Sequence, residues 1–272
     1  MLKTRVLTAL ALLAILLPTL YFDSFPAMLA IATLFIAAAA WESARLFGFA
    51  GPRLAAVLWS VVFVALAWQG AAADTTLLFS LCVAIWVVRL APALKIGLPP
   101  VGGVGNRLLG GVYGIAILGC FVAIVALFLQ SPLYLLSAMV IVWIADIGAY
   151  FAGKAFGRRK LAPSISPGKS WEGALGGWLA VLLVAALAIA VWPATDLFPT
   201  RLQRAWGWGG LTVALTVIVA ASIVGDLFES QLKRRAGMKD SSALLPGHGG
   251  VLDRIDSLIP VLPLAVLCGS WV

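Results

Sequence analysis

The chain has 272 residues, 62% of them hydrophobic and 11% charged, with a formal net charge of +8 and a mean hydropathy of +1.06. Soluble domains carry about 25% charged residues, so this composition excludes an ordinary water-covered globule and points to one membrane-embedded bundle. The positive charge has two readings, nucleic-acid binding or the cytoplasmic loops of a membrane protein, and the positions of the basic residues decide between them.

In chain order, Lys3 and Arg5 precede an apolar run from Val6 to Leu17 with the outline of a signal peptide. No small-residue cleavage site follows and further apolar segments do, so a retained first helix is expected. A helix needs about 20 mostly apolar residues to cross a bilayer. Nine segments approach that length, near 5–22, 25–41, 54–72, 75–93, 110–129, 132–152, 173–192, 207–228 and 257–272, the last shortened by Pro260 and Pro263. The expected fold class is all-α: a polytopic membrane helix bundle of about nine transmembrane helices with a cytoplasmic N-terminus. No repeat or linker divides the chain, so residues 1–272 are read as a single integral membrane domain. Within it, N-terminal spans occupy about 1–130 and a catalytic part about 132–272, with cytoplasmic loops at 153–172 and 229–256.

Alternating the nine spans from a cytoplasmic N-terminus places every lysine and arginine except Arg201 and Arg204 on the inner side. That is the bias expected of loops facing the cytoplasm, and it removes the need for a nucleic-acid partner. The expected location is a bacterial inner (plasma) membrane, with the two largest polar loops facing the cytoplasm. Cys82, Cys120 and Cys268 stand far apart in apolar sequence and read as buried thiols. Trp41, Trp192 and Trp206 near span ends read as interfacial anchors.

Chemistry concentrates after the eighth span. Asp226, Glu229, Ser230 and Lys233 recur at helical spacing, so a helix leaving the membrane would present all four on one face. Asp253 and Asp256 repeat the arrangement on the way back in. Carboxylates without Cys or His suit Mg²⁺, which takes a few carboxylates, substrate phosphates and water, and they disfavour zinc. Glu229 and Asp240 equally suit plain neutralisation of neighbouring Lys and Arg. Asp226, at the edge of an apolar helix, is a stronger candidate because ionisable groups at membrane depth are costly. Gly247, Gly249 and Gly250 surround His248, the single histidine, where glycine lets backbone N–H groups approach a phosphate. His248 reads either as a donor to phosphate or pyrophosphate or as a hydrogen-bonded loop histidine.

The residues from Ser230 to Asp256, among them Leu232, Lys233, Arg234, Lys239, Asp240, Ser242, Pro246, His248, Gly249, Gly250, Asp253 and Arg254, resemble the signature of the phosphatidate cytidylyltransferase family without a gap. A second block supports the resemblance, with Asp146, Tyr150, Gly153, Gly157, Lys160, Pro163, Ser166, Pro167, Lys169, Glu172 and Gly173; here Ser170 stands where the family more often has Thr. Gly168, Lys169 and Ser170 mimic the end of a P-loop, but Pro163 stands where that motif needs glycine and no strand precedes it. The family joins CTP to phosphatidic acid, giving CDP-diacylglycerol and pyrophosphate in phospholipid biosynthesis, and the resemblance implies this nucleotidyltransferase activity here.

It also implies Mg²⁺, with K⁺ as a second cation. Asp226, Asp253 and Asp256 are the expected metal ligands; with Ser230 and His248 they form the expected catalytic set. The expected substrate contacts are Asp146, Tyr150, Lys169, Ser170, Lys233, Arg234, Lys239, Gly249, Gly250 and Arg254. Expected partners are CTP, phosphatidic acid and the lipid bilayer, with a homodimer as the assembly and no nucleic acid. Two other classes remain open from the residues. A secondary transporter would use Asp146 and Asp226 as an ion path, and a CTP-dependent lipid kinase or other membrane phosphotransferase would share the setting. The N-terminal half supplies spans and little else that is legible.

Overall fold

The computed structural model describes residues 2–69 and 75–270; the expected span ends at 70–72 and 271–272 lie outside the described residues. Helices dominate. The chain runs through α1 (Leu2–Tyr21), α2 (Phe25–Leu46), α3 (Pro52–Trp68), α4 (Thr76–Ile85), α5 (Ala91–Ile96), α6 (Val104–Gln130) and α7 (Pro132–Phe156). A short hairpin follows, β1 (Lys160–Ala162) and β2 (Ser166–Ser170). Then come α8 (Trp171–Val191), α9 (Phe198–Arg235), the one-turn α10 (Leu252–Ile255) and α11 (Leu258–Ser270). Six of these helical segments are long and apolar enough to cross a membrane: 25–46, 76–96, 104–130, 132–156, 171–191 and 198–235. The helices at 6–21 and 52–68 are apolar but shorter.

Local chemistry sets the starts. Ser131 caps α7, its hydroxyl accepting from the Tyr134 N–H at 3.3 Å, and Pro132 follows in the first turn. Ser170 caps α8 in the same way, accepting from Gly173 N–H at 3.1 Å. Between α4 and α5 the residues Trp86–Leu90 form a π-helical turn, so 76–96 is one continuous apolar rod. In α9, Gly207 has φ 65° and breaks the helix, so Arg201 and Arg204 sit on a separate segment before the span.

The packing is that of a bundle in lipid. On α8, Gly173, Gly177, Val181 and Ala185 are buried while Leu175, Leu179, Leu183 and Leu187 are exposed, which puts small residues against protein and leucines outward. Gly176 and Gly177 of α8 meet Ala152 and Ala145–Ala149 of α7 so closely that a side chain at either glycine would collide. The α6 helix is the most enclosed, with Tyr113 against Phe228 of α9 at 5.0 Å between ring centroids.

The polar loops converge at one end. Asn106 donates to the carbonyl of Phe47 at 2.7 Å, Arg235 to that of Pro99 at 2.9 Å and Arg234 to that of Ile165 at 3.4 Å. The loops after α2, α5, α7 and α9 are thereby gathered around the C-terminal end of α9. Boundaries differ from the sequence reading in several places: α2 runs on to Leu46 and α6 starts already at Val104. The loop expected at 153–172 contains an antiparallel hairpin, with Lys160 opposite Ser170 and Ala162 opposite Ser166. The loop expected from 229 begins later, because α9 stays helical to Arg235.

Candidate active site

A cavity of about 610 Å³ opens among α7, β2, α8, α9 and the segment before α11. Its volume falls within the range of small-molecule sites, about 300–1,000 Å³. Asp146 and Tyr150 reach it from α7, Lys169 and Ser170 from the hairpin, Asp226 and Lys233 from α9, and Asp253, Arg254 and Asp256 from the returning loop. The helical spacing read in the sequence explains the α9 contribution, since Asp226 and Lys233 lie on one face. Gly225 makes the approach of the last loop possible. A Cβ at that position would strike the Asp256 carbonyl and the Pro260 ring, which is 2.9 Å away.

Opposite charges are paired across the cavity. Lys169 Nζ lies 2.6 Å from Asp226 Oδ2. Lys233 Nζ lies 2.5 Å from Asp253 Oδ1 and also pairs with Glu229, which is fully buried. Ser230 donates to Asp226 Oδ1 at 3.3 Å. Asp253 Oδ2 accepts from Gly250 N–H at 2.7 Å and from the N–H and hydroxyl of Ser241, both at 2.8 Å. Burial alone would push the Asp253 carboxyl up; Lys233 and the Gly250 and Ser241 amides outweigh it and hold the group below the usual carboxylate range. Asp256 goes the other way, pushed well up by burial and then by the neighbouring charge of Asp226.

The other expected residues have separate places. Lys239, His248 and Gly249 line an adjoining cavity of about 680 Å³, which shares Asp240 and Arg254 with the first. Gly249 has φ +86°, and a Cβ there would lie 2.7 Å from Asp253 Oδ2. The Gly250 N–H, expected to face phosphate, is instead committed to Asp253. Ser170 lines the main cavity, but its hydroxyl caps α8. Arg234 leans on the hairpin through Ile165. Glu229 does pair with its neighbour Lys233, as the neutralising reading has it, but inside the bundle rather than at a surface.

Among the described residues no three His, Cys, Asp or Glu side chains converge as a ready-made metal centre. The expected ligands Asp226, Asp253 and Asp256 share the cavity wall, yet two of them are held by lysines. The carboxylates on that wall, with no Cys or His among its lining residues, still fit Mg²⁺, which relies on one or two carboxylates with substrate phosphates and water.

Glu42 is the residue that sequence reasoning missed. It lies on α2, fully buried, and accepts hydrogen bonds from Leu252 N–H at 2.6 Å, Val251 N–H at 3.0 Å, Ser241 Oγ at 3.2 Å and Ser242 Oγ. The N-terminal half therefore contributes more than spans. The signal was present, since an acid inside an apolar helix carries the same cost that singled out Asp226.

A model of the cytidylyltransferase family matches residues 3–271. The chain belongs to the cytidylyltransferase family. The match extends over the N-terminal half as well as the two C-terminal blocks. Over 283 aligned residues the chain is 43% identical to a protein named phosphatidate cytidylyltransferase from Pseudomonas aeruginosa, covering 100% of this chain and 99% of that one. A protein of the same name from Haemophilus influenzae is 50% identical over 129 residues, 47% of this chain and 43% of its own length. One from Staphylococcus aureus is 45% identical over 131 residues, 48% of this chain and 46% of its own. Membership of this family makes the chain an enzyme, a nucleotidyltransferase with helices apolar enough for a membrane.

Proposed function

We propose that the chain transfers the cytidylyl group of CTP to phosphatidic acid, forming CDP-diacylglycerol and pyrophosphate. The observation that carries the reading is one cavity holding Asp146, Asp226, Asp253 and Asp256 with Lys169, Lys233 and Arg254, at the loop-bearing end of an apolar bundle. A lipid phosphate oxygen attacks the α-phosphorus of CTP; a new P–O bond forms there as the bond to the β-phosphate oxygen breaks. A phosphate monoester with a second pKa of about 6 is largely ionised at neutral pH, so no strong base is needed. The work left to the protein is to position and neutralise two polyanions.

Asp226 and Asp256, with Asp253 and Ser230 beside them, are the groups that would hold Mg²⁺, and K⁺ as a second cation belongs to the same proposal. When bound, such a cation offsets charge on the triphosphate and on departing pyrophosphate. Lys169, Lys233 and Arg254 face the phosphates, the lysines as point charges and Arg254 with a planar fork. Arg254 and Asp240 line both cavities, which supports a reading in which Lys239 and His248 meet the far end of an extended triphosphate.

The proposal includes a bundle of about nine crossings, the shorter helices completing the six long ones, with the N-terminus and the site on the cytoplasmic side of a bacterial inner membrane. The gathering of the basic loops at one end of the bundle supports that orientation. A homodimer is part of the same proposal, tested by light scattering in detergent. The reaction is tested by incubating purified protein with CTP, phosphatidic acid and Mg²⁺. Lipid-linked CMP and pyrophosphate should appear in equal amounts; their absence under every metal condition would sink the reading.

A further inference from the structure

We infer that Glu42 is a positioning residue for this reaction: from the N-terminal half it fixes the loop that presents Asp253, and through Asp253 it fixes Lys233. The inference rests on the reaction proposed above. Its physical basis is the enclosed carboxylate on α2 and the identity of its four donors. A carboxylate removed from water needs compensation, and here all of it comes from one loop. Ser241 and Ser242 lie at one end of that loop and the Val251 and Leu252 amides at the other, so a single side chain clamps both ends. Gly250 sits between Ser241 and Glu42, where any side chain would collide with both.

The clamp is connected to the cavity. Ser241 Oγ lies 2.8 Å from Asp253 Oδ2 and 3.2 Å from Glu42 Oε2, so its one hydroxyl proton is shared unequally, chiefly with the nearer Asp253. Because Oδ2 is held by Ser241 and Gly250, Asp253 turns Oδ1 toward Lys233 on the cavity wall. Loss of Glu42 would free the backbone at 251–252 and the serines together, and both Asp253 and Lys233 would lose their fixed places.

The test uses the full-length protein purified in detergent, with Glu42→Gln, Ser241→Ala, Ser242→Ala and the Glu42→Gln/Ser241→Ala double variant. Glu42→Gln keeps size but turns an amide NH₂ toward N–H donors. It should lower kcat by about 10–100-fold and raise the half-activating Mg²⁺ concentration by about tenfold, the range for supporting groups behind metal ligands. KM for phosphatidic acid should change less than kcat. In the double variant the losses should combine to less than their product, since both act through one hydrogen-bonded unit. A lowered melting temperature with unchanged kcat and Mg²⁺ requirement in the folded fraction would overturn the inference, as would losses that multiply. Should Glu42→Gln not fold, Ser242→Ala removes one donor and is expected to shift the Mg²⁺ requirement in the same direction; no shift overturns the idea. Amide exchange over 240–252 decides the clamp independently of turnover: it should rise in Glu42→Gln, and unchanged protection contradicts the clamp. An unaltered protein that makes no lipid-linked CMP condemns the reaction, whereas an active one indifferent to Glu42 condemns this inference alone.

Discussion

Lys169 answers Asp226 across the cavity and Lys233 answers Asp253, so cations and carboxylates stand in partnered pairs before any substrate is considered. In the proposed reaction each pair exchanges partners, the carboxylate toward a metal ion and the lysine toward a phosphate. Lys169→Ala should therefore raise KM for CTP by about tenfold, the size of one charge-assisted hydrogen bond; an unchanged KM would remove Lys169 from nucleotide contact. Asp253→Asn should abolish turnover, a loss of at least about 100-fold, with the helical circular dichroism signal retained. Near-normal activity there would take Asp253 out of the site. At this scale the sequence was most legible where spacing carried the message. Asp226 and Lys233 share a face as their positions demand, and Asp253 and Asp256 return to the same cavity. It was least legible where a partner comes from far along the chain: Glu42 meets Leu252 across 210 positions, a pairing that only the tertiary fold creates.

The elements that carry the site are held by close approaches at glycines as well as by aromatic packing around Phe228. Gly225 lets α9 run against Asp256 and Pro260, and Gly177 lets α8 lie against α7. Gly225→Ala should destabilise the bundle by about 1–3 kcal/mol, as overpacking does, and lower activity beyond what the lost stability explains, because it moves Asp256 away from Asp226. A melting temperature and kcat both equal to those of the unaltered protein would show that α9 and the Asp256 segment are not in register as described. Helix positions were readable from apolar runs, and their ends less so. The hairpin at 160–170 is too short for an alternating pattern to emerge; Arg234 contacts its turn at Ile165 and Ser170 at its end caps α8. The break at Gly207 falls where the apolar run expected at 207–228 begins, so that helix start was legible.

For the whole molecule, the charge map and the gathered loops together predict sidedness. A cysteine introduced at Arg158, between α7 and the hairpin, should react with a membrane-impermeant maleimide only in inside-out vesicles, and one at Thr195 only in right-side-out vesicles. The reverse pattern would invert the bundle and place the cavity away from nucleotide. The central claim is the direction of group transfer, and position-specific labelling of CTP tests it most directly. With phosphatidic acid and Mg²⁺, label at the α-phosphate should enter the lipid while label at the γ-phosphate leaves in pyrophosphate. Label from the γ-phosphate in the lipid, or from neither position, would contradict the account.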